Sequence, residues 1–370
     1  MLARKEIFAF LSSGCLFSLP SGVFWMAWGL EKVQKHSGSG IFSVYAPDFF
    51  LENSTPWILF PENRRVSRED LIRSLKDWVD EVPQGGAGAT LGAPKWISPD
   101  FESFRTVFGD LQAQIESKTL KKAVPVVFSR AHFQMDLMQR AESLLRVLAA
   151  TRDLPVYLYG VWNQNEGILG ATPEILVQGR DGSFSTMALA GTRLNGSENR
   201  PILEDPKERA EHQIVIDGIL ASLRSLDSVK DIQVALTQEL KLPLFSHLLT
   251  PISFRMDVVK PSSAELEGLV KALHPTPALG AFPRTAGFEW LRRQKNSLER
   301  KRFGAPLGFV SPSGEIQLGV AIRNLQWSDQ EVILGAGCGI IAESVLDREW
   351  KELAAKMNSV KKLWGWEISL

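Results

Sequence analysis

The sequence lacks most features that mark secreted, membrane-spanning or nucleic-acid-binding proteins. Only two cysteines, Cys15 and Cys338, occur among 370 residues, and their separation does not suggest a zinc motif or a disulfide framework. We therefore expect a reducing, cytoplasmic compartment. No apolar run approaches the ~20 residues that a membrane-spanning helix needs. The 42 basic and 42 acidic side chains cancel, which leaves no general attraction for nucleic acid or anionic membrane and favours a small-molecule partner.

The N-terminal segment has a faint likeness to a lipoprotein signal. Two basic residues precede the apolar run 7–11, and Ser-Ser-Gly-Cys follows it. Glu6 interrupts the positive region, and the run is shorter than a signal core. Because 23–28 is apolar and follows a Pro-Ser-Gly turn, we expect two early strands of a hairpin here and no signal.

Hydrophobic patterning predicts an α+β fold in one domain, 1–370, with no internal repeat. The chain is 44% hydrophobic and 23% charged, which suits a folded globular protein. Helical periodicity is found at 68–82, 99–117, 208–225, 263–272 and 348–363. Strand signals are found at 124–129, 156–162, 167–170, 176–189 and 307–325. Since strands and helices come in blocks, the sheets should be mostly antiparallel. A monomer is the default expectation.

Two pairs of carboxylates are the sharpest chemical feature. Glu208 and Glu211 lie three residues apart at a predicted helix start, and Glu349 and Glu352 repeat this arrangement with Lys356 one turn further along. Three-residue spacing places each pair on one helix face. Carboxylate oxygens suit a hard cation such as Mg²⁺. Either pair alone is more typical of a solvated helix N-terminus than of a metal site. The neighbouring motifs are therefore needed to distinguish the two interpretations.

A glycine-rich stretch precedes the second acidic pair. An apolar strand at 332–334 leads into Gly-Ala-Gly-Cys-Gly at 335–339. The spacing is not that of a dinucleotide-binding loop. Free backbone amides there could instead hold a carboxylate.

Several short motifs occur in a characteristic order. They are Gly-Ala-Thr-Pro-Glu (170–174), Ala-Leu-Ala-Gly-Thr-Arg (188–193), Glu-Arg-Ala-Glu-His (208–212), Leu-His-Pro-Thr-Pro-Ala (273–278), Ala-Ile-Arg (321–323) and the block 335–352. As an ordered set over roughly 111–364, they resemble the chorismate-utilising enzymes, which include isochorismate, salicylate, anthranilate and aminodeoxychorismate synthases. The resemblance implies one large domain of packed, mostly antiparallel sheets wrapped by helices, with chorismate as substrate.

The same resemblance implies a magnesium site. Glu211 and Glu352 resemble the Mg²⁺ ligands of the family, and Glu208 and Glu349 resemble their acidic neighbours. The ion would bridge to the ring carboxylate of chorismate. The resemblance also implies a set of substrate-binding residues: Gly191, Thr192 and Lys356 near the ring, Arg323, Gly335 and Gly337 at the enolpyruvyl carboxylate, and His274.

The His-Pro-Thr-Pro form at 274–277 resembles isochorismate synthases more than anthranilate-type enzymes, which also need a partner that delivers ammonia. Ala190 stands where many aminodeoxychorismate synthases have lysine. We therefore expect an isomerase that makes isochorismate for menaquinone or siderophore synthesis. Two alternatives stay open: a salicylate synthase, which also eliminates pyruvate, and a non-catalytic chorismate-binding protein.

Isochorismate formation needs a base for the water that attacks ring C2 and an acid for the departing C4 hydroxyl. Glu174 matches the acid of the family, and burial would raise its pKa as that role requires. In the family a lysine directly precedes the strand motif, but here Pro125 holds that place. Counting forward from the preceding helix assigns the base to Lys122. The alternative is that Lys121 and Lys122 are solvated residues before a strand.

Overall fold

The computed structural model describes residues 2–29, 31–81, 94–196 and 200–366, which form an α+β fold. All five predicted helices are confirmed, and three others had no clear sequence signal. The described helices are α1 (Arg4–Ser12), α2 (Arg68–Glu81), α3 (Phe101–Glu116), α4 (Leu137–Ala150), α5 (Pro206–Arg224), α6 (Ser263–Leu273), α7 (Arg284–Arg293) and α8 (Leu346–Leu363).

The strands cover each of the predicted strand segments. In chain order they are β1 (Gly14–Ser18), β2 (Val23–Trp28), β3 (Lys32–Gln34), β4 (Phe42–Tyr45), β5 (Trp57–Phe60), β6 (Glu62–Ser67), β7 (Lys122–Ala123), β8 (Val126–His132), β9 (Tyr157–Trp162), β10 (Glu166–Thr172), β11 (Ile175–Arg180), β12 (Ser183–Leu194), β13 (Val229–Val234), β14 (Gln238–Lys241), β15 (Phe245–Met256), β16 (Ala281–Phe282), β17 (Pro306–Val310), β18 (Ile316–Val320), β19 (Asn324–Ser328) and β20 (Glu331–Gly337).

Two large antiparallel sheets form the centre of the molecule. The first has eight strands in the order β6-β2-β1-β9-β10-β19-β20-β8, and the second has β13-β15-β12-β11-β18-β17-β4-β5-β3 with β14 beside β15. Aromatic side chains join them: Phe309 of the second sheet lies 5.4 Å from Phe17 of the first, between ring centroids. The predicted sheet architecture is thus confirmed.

The N-terminal expectation is confirmed in part. Strands β1 and β2 form the expected hairpin, with Gly14 opposite Trp28. The apolar run 7–11 is not a strand but belongs to α1, where Ile7, Phe10 and Leu11 share one buried face. None of the described helices is both long and apolar enough to cross a bilayer. Both cysteines are free and buried.

A buried arginine ties the N-terminal helix to the first sheet. Arg140 of α4 donates from Nε to the Met135 carbonyl at 3.0 Å, from Nη1 to Leu11 at 2.9 Å and from Nη2 to Gln164 at 2.9 Å. Burial lowers the pKa of this guanidinium to about 10. Its donors satisfy carbonyls at the end of α1 and in the turn between β9 and β10.

We expect Arg140→Met to lower the free energy of unfolding by about 2–4 kcal/mol, because it leaves these carbonyls without a donor. Urea unfolding at equilibrium measures this. Arg152→Met is the matched control: its ion pair with Glu69 (3.1 Å) is exposed, so its loss should cost less than about 0.5 kcal/mol. Equal urea midpoints for the two variants would contradict the role given to Arg140.

Candidate active site

Helices α5 and α8 bring the two carboxylate pairs together from their first two turns. The start of α5 is fixed by Asp205, whose side chain accepts the backbone N–H groups of Lys207 (2.9 Å) and Glu208 (3.1 Å). Glu208 and Glu211 are buried on α5, as is Glu349 on α8. The convergence predicted from the three-residue spacings is therefore present.

Two lysines face the inner members of the pairs, Glu211 and Glu352. Lys122 Nζ lies 2.8 Å from Glu211 Oε1, an ion pair by distance although its angles are not those of a hydrogen bond. Lys356 Nζ lies 2.5 Å from Glu352 Oε1 and donates to the Gly337 carbonyl at 2.8 Å. Each inner carboxylate is thus matched by one ammonium group.

A third lysine faces the outer members, Glu208 and Glu349. Lys207 Nζ lies 3.2 Å from Glu208 Oε1 and 3.4 Å from Glu349 Oε1. Burial and neighbouring carboxylates raise the pKa of Glu208 and of Glu349 to about 7. Burial alone would also raise the pKa of Glu211, but the ammonium groups of Lys122 and Lys207 hold it below its usual range.

The chemistry of this cluster fits a hard divalent cation. The charges of Glu211 and Glu352 raise the pKa of both outer carboxylates, Glu208 and Glu349, as expected where an additional cation is needed. Within the described residues, no three acidic, histidine or cysteine side chains are already disposed as metal ligands, and the lysines face the oxygens instead. Glu208, Glu211, Glu349 and Glu352 are the residues that could hold Mg²⁺.

Glycine is required at the back of the cluster. A Cβ atom on Gly339 would lie 2.1 Å from Glu211 Oε1 and 2.8 Å from Lys122 Cε. Any side chain there would displace both groups. The glycine-rich stretch therefore makes room for the charged cluster.

A cleft opens in front of the inner carboxylates. It contains eight of the predicted site residues: Glu174, Thr192, Glu211, Arg323, Gly335, Gly337, Glu352 and Lys356. Its other walls are Pro173, Leu189, Ala190, His247, Ala278, Leu279, Phe303, Ile322, Ala336 and Gly339. The mixture of apolar walls and a few charged groups is typical of small-molecule sites.

Glu174 lies between β10 and β11 with 4% of its surface exposed. Burial raises its pKa to about 8, although the charges of Lys122 and Lys356 act in the opposite direction. The carboxyl group is therefore protonated at neutral pH, as a general acid must be. The direction of this shift agrees with the expectation from the sequence.

Lys122 is fully buried, at 0% exposure, whereas Lys121 is exposed. Strand β7 pairs with β16, where Lys122 lies opposite Phe282. The solvated interpretation therefore fails for Lys122 and holds for Lys121. Pro125 falls in the break between β7 and β8, which accounts for the extra residues in the motif.

A bulge in β12 positions Thr192. Ala190 pairs with Leu248 and Thr192 with His247, so Gly191 is the extra residue, at φ +72°. Thr192 donates its N–H to Glu208 Oε2 at 2.8 Å, and its Oγ1 lies 3.0 Å from His247 Nδ1. Gly191 does not line the cleft but directs Thr192 into it.

Arg323 reaches the cleft from the segment before β19. Its backbone is left-handed, at φ +55°, which is strained for a residue with a side chain. The guanidinium lies 4.7 Å from the Phe245 ring centroid, and Nη1 donates to Ser359 Oγ at 2.9 Å. Gly335 and Gly337 belong to β20 and pair with β8, so they are ordered strand and not an open loop.

The structure corrects the expectation for His274. Its imidazole is buried outside the cleft lining, and Nε2 donates to the Phe49 carbonyl at 2.7 Å. Burial lowers its pKa to about 3, so the ring is neutral. The same motif reaches the site through Thr276, whose hydroxyl bonds to Glu174.

Sequence reasoning missed four residues of the site: Lys207, His247, Thr276 and Gly339. The motifs already recognised contain or adjoin three of them, Lys207, Thr276 and Gly339. Their place in those motifs is the signal that could have identified them. His247 had none, because it is one of many alternating residues of a long strand, β15. Its buried Nε2 has no hydrogen-bond partner within the described residues.

Comparison with known proteins identifies the family. The family model for chorismate binding enzymes matches residues 73–364, so the chain belongs to that family. The salicylate biosynthesis isochorismate synthase of Pseudomonas aeruginosa is 32% identical over 55% of this chain and 43% of its own length. The isochorismate synthase MenF of Bacillus subtilis is 29% identical over 91% of this chain and 77% of its own.

Comparison with solved structures finds the same fold in an isochorismate synthase. The structure of MenF, the menaquinone-specific isochorismate synthase from Escherichia coli, superposes with a TM-score of 0.75 at 19% identity, covering 98% of this chain and 91% of that one. This likeness confirms the fold class. The chain spans about half the length of the first curated relatives, from 43% to 63%.

The buried acid gives a prediction about pH. Glu174 keeps its proton in the folded state up to about pH 8, whereas the unfolded chain releases it near 4.5. Folded protein thus binds the extra proton between these values, and its stability falls as pH rises through them. Relative to Glu174→Gln, which has no such proton, the wild type should lose about 2–4 kcal/mol between about pH 5 and pH 8.

Urea unfolding of both proteins across this range is the measurement. Using the difference between them cancels the contribution of all other titrating groups. Parallel stability curves would show that Glu174 is ionised in the folded protein.

Proposed function

We propose that this chain is an isochorismate synthase, an isomerase that converts chorismate to isochorismate with the help of Mg²⁺. One observation carries the proposal: a buried, protonated Glu174 lines the same cleft as Glu211 and Glu352, two carboxylates suited to a cation, and the buried Lys122 is ion-paired with Glu211 at 2.8 Å behind that lining. The names of the Pseudomonas and Bacillus relatives support the same activity.

The reaction requires one proton to be taken and one to be given. In its neutral amine form, Lys122 would accept a proton from the water whose oxygen bonds to ring C2, and Glu174 would donate a proton to the C4 hydroxyl as its C–O bond breaks. The ring double bonds shift between the two positions. One water enters and one leaves, so no oxidant or other co-reactant is needed.

The remaining groups would hold the substrate. Arg323 would bind the enolpyruvyl carboxylate through its planar fork. Thr192 and Lys356 would contact the ring substituents. Glu211 and Glu352, with Glu208 and Glu349 behind them, would hold Mg²⁺, which when bound would supply positive charge for the ring carboxylate.

Product analysis tests the reaction. Purified protein with chorismate should give isochorismate with Mg²⁺ and no product after the metal is removed with EDTA, as resolved by chromatography and mass. If salicylate and pyruvate also appear as products, the protein is a salicylate synthase instead. Binding of chorismate without turnover would indicate a non-catalytic family member and defeat the proposal.

Neighbouring lysines test the assignment of the base. We expect Lys122→Ala to reduce kcat by about 10²–10⁴-fold, because the attacking water loses its proton acceptor. Lys121→Ala removes the same side chain at an exposed position next to it and should keep kcat within about twofold. Circular dichroism of both variants verifies folding. Full activity of folded Lys122→Ala would exclude Lys122 as the base.

A further inference from the structure

The four carboxylates are divided between two openings. Glu211 and Glu352 line the cleft that also contains Glu174. Glu208 and Glu349 line a separate outer pocket, and Glu352 and Thr192 line both openings. The outer pocket is lined by Thr192, Arg193, Leu194, Asp205, Lys207, Glu208, Glu343, Val345, Arg348, Glu349, Lys351 and Glu352. The carboxylate cluster thus has a second side that the substrate chemistry does not use.

Lys207 lies at this second side. Its ammonium group is within 3.4 Å of both outer carboxylates, and its side chain keeps 27% exposure to the outer pocket. The charges of all four glutamates act on it. A single positive group therefore occupies the position from which a cation would attract every carboxylate of the cluster.

Two buried carboxylates that share a pocket need a positively charged group between them to offset their repulsion. Glu208 and Glu349 come from different helices, Lys207 Nζ lies within 3.4 Å of both, and the charges of Glu211 and Glu352 raise the pKa of each. Without Lys207 their repulsion would oppose the contact between α5 and α8. Lys207 offsets this repulsion with a positive charge that belongs to the chain itself.

We propose that Lys207 is an internal counter-ion that holds Glu208 and Glu349 in the metal-free protein and competes with the divalent cation for them. The inference rests on the magnesium site of the proposed function. Stability without metal is then gained at the expense of metal affinity. Lys207 is a positioning residue, since it acts through the two glutamates.

Three variants test this inference. Lys207→Met removes the charge and keeps much of the aliphatic stem, whereas Lys207→Arg keeps the charge. Lys351→Met is the matched control, because Lys351 lines the same pocket but, in the part of the chain that the structure describes, makes no ion pair with the four glutamates. The Kd for Mg²⁺ is measured by isothermal titration calorimetry without chorismate, and Tm is measured in EDTA and in saturating Mg²⁺.

Competition predicts that Lys207→Met binds Mg²⁺ about tenfold more tightly than the wild type, while Lys207→Arg and Lys351→Met stay within about threefold. In EDTA the Tm of Lys207→Met should be the lowest of the four proteins. Saturating Mg²⁺ should remove that difference, because the cation replaces the missing charge.

Unchanged or weaker binding by Lys207→Met, with wild-type protein that binds Mg²⁺, overturns the inference and leaves the proposed function intact. Failure of every protein to bind Mg²⁺ overturns the inference together with the magnesium site. Absence of isochorismate despite the predicted changes in Kd and Tm would defeat only the proposed reaction.

Discussion

The burial of four carboxylates at one point is the constraint on which the rest of this structure depends. An isolated buried carboxylate is strongly disfavoured, so each one needs a partner supplied by a different part of the chain. Lys122 comes from β7, Lys207 from the start of α5 and Lys356 from α8. The β12 bulge adds the backbone N–H of Thr192. The two-stranded β7–β16 sheet, a strand of the second large sheet and two helices must therefore meet before the charges are compensated.

The cluster also explains how two buried carboxyl groups in one cleft differ in charge. Glu211 is held ionised by Lys122 at 2.8 Å, whereas Glu174 forms no ion pair of that kind with any residue that the structure describes and remains protonated at neutral pH. The difference follows from how close the ammonium groups lie, Lys122 above all, because the side chain is a glutamate in both cases. One cleft can in this way contain an anionic cation ligand and a neutral proton donor.

Local patterns predicted the elements that carry the site, because helix periodicity and three-residue spacing depend only on neighbours in sequence. Helices α5 and α8, with their glutamates, were predicted for this reason. Helices α1, α4 and α7 gave no clear signal, and the apolar run in α1 was too short to separate a helix from a strand.

Residues whose role depends on distant partners were not predictable in the same way. His247 lines the cleft opposite Thr192, and the bulge that sets their register lies in β12, so β15 itself carries no signature of it. His274 shares a motif with Thr276, but its ring turns to the Phe49 carbonyl, 225 residues away in the chain. Burial of Lys122 and exposure of Lys121 likewise depend on the pairing of β7 with β16.

Arg323 illustrates how folding prepares the cleft. An arginine side chain has about 2 kcal/mol of rotamer entropy to lose when it is fixed. Here the Phe245 ring and the Ser359 hydroxyl already fix the guanidinium, and the left-handed backbone aims it. The loss of freedom is therefore incurred once, during folding. An anion that enters the cleft meets a donor that is already ordered, so its association should carry a smaller entropic penalty than binding to a mobile arginine.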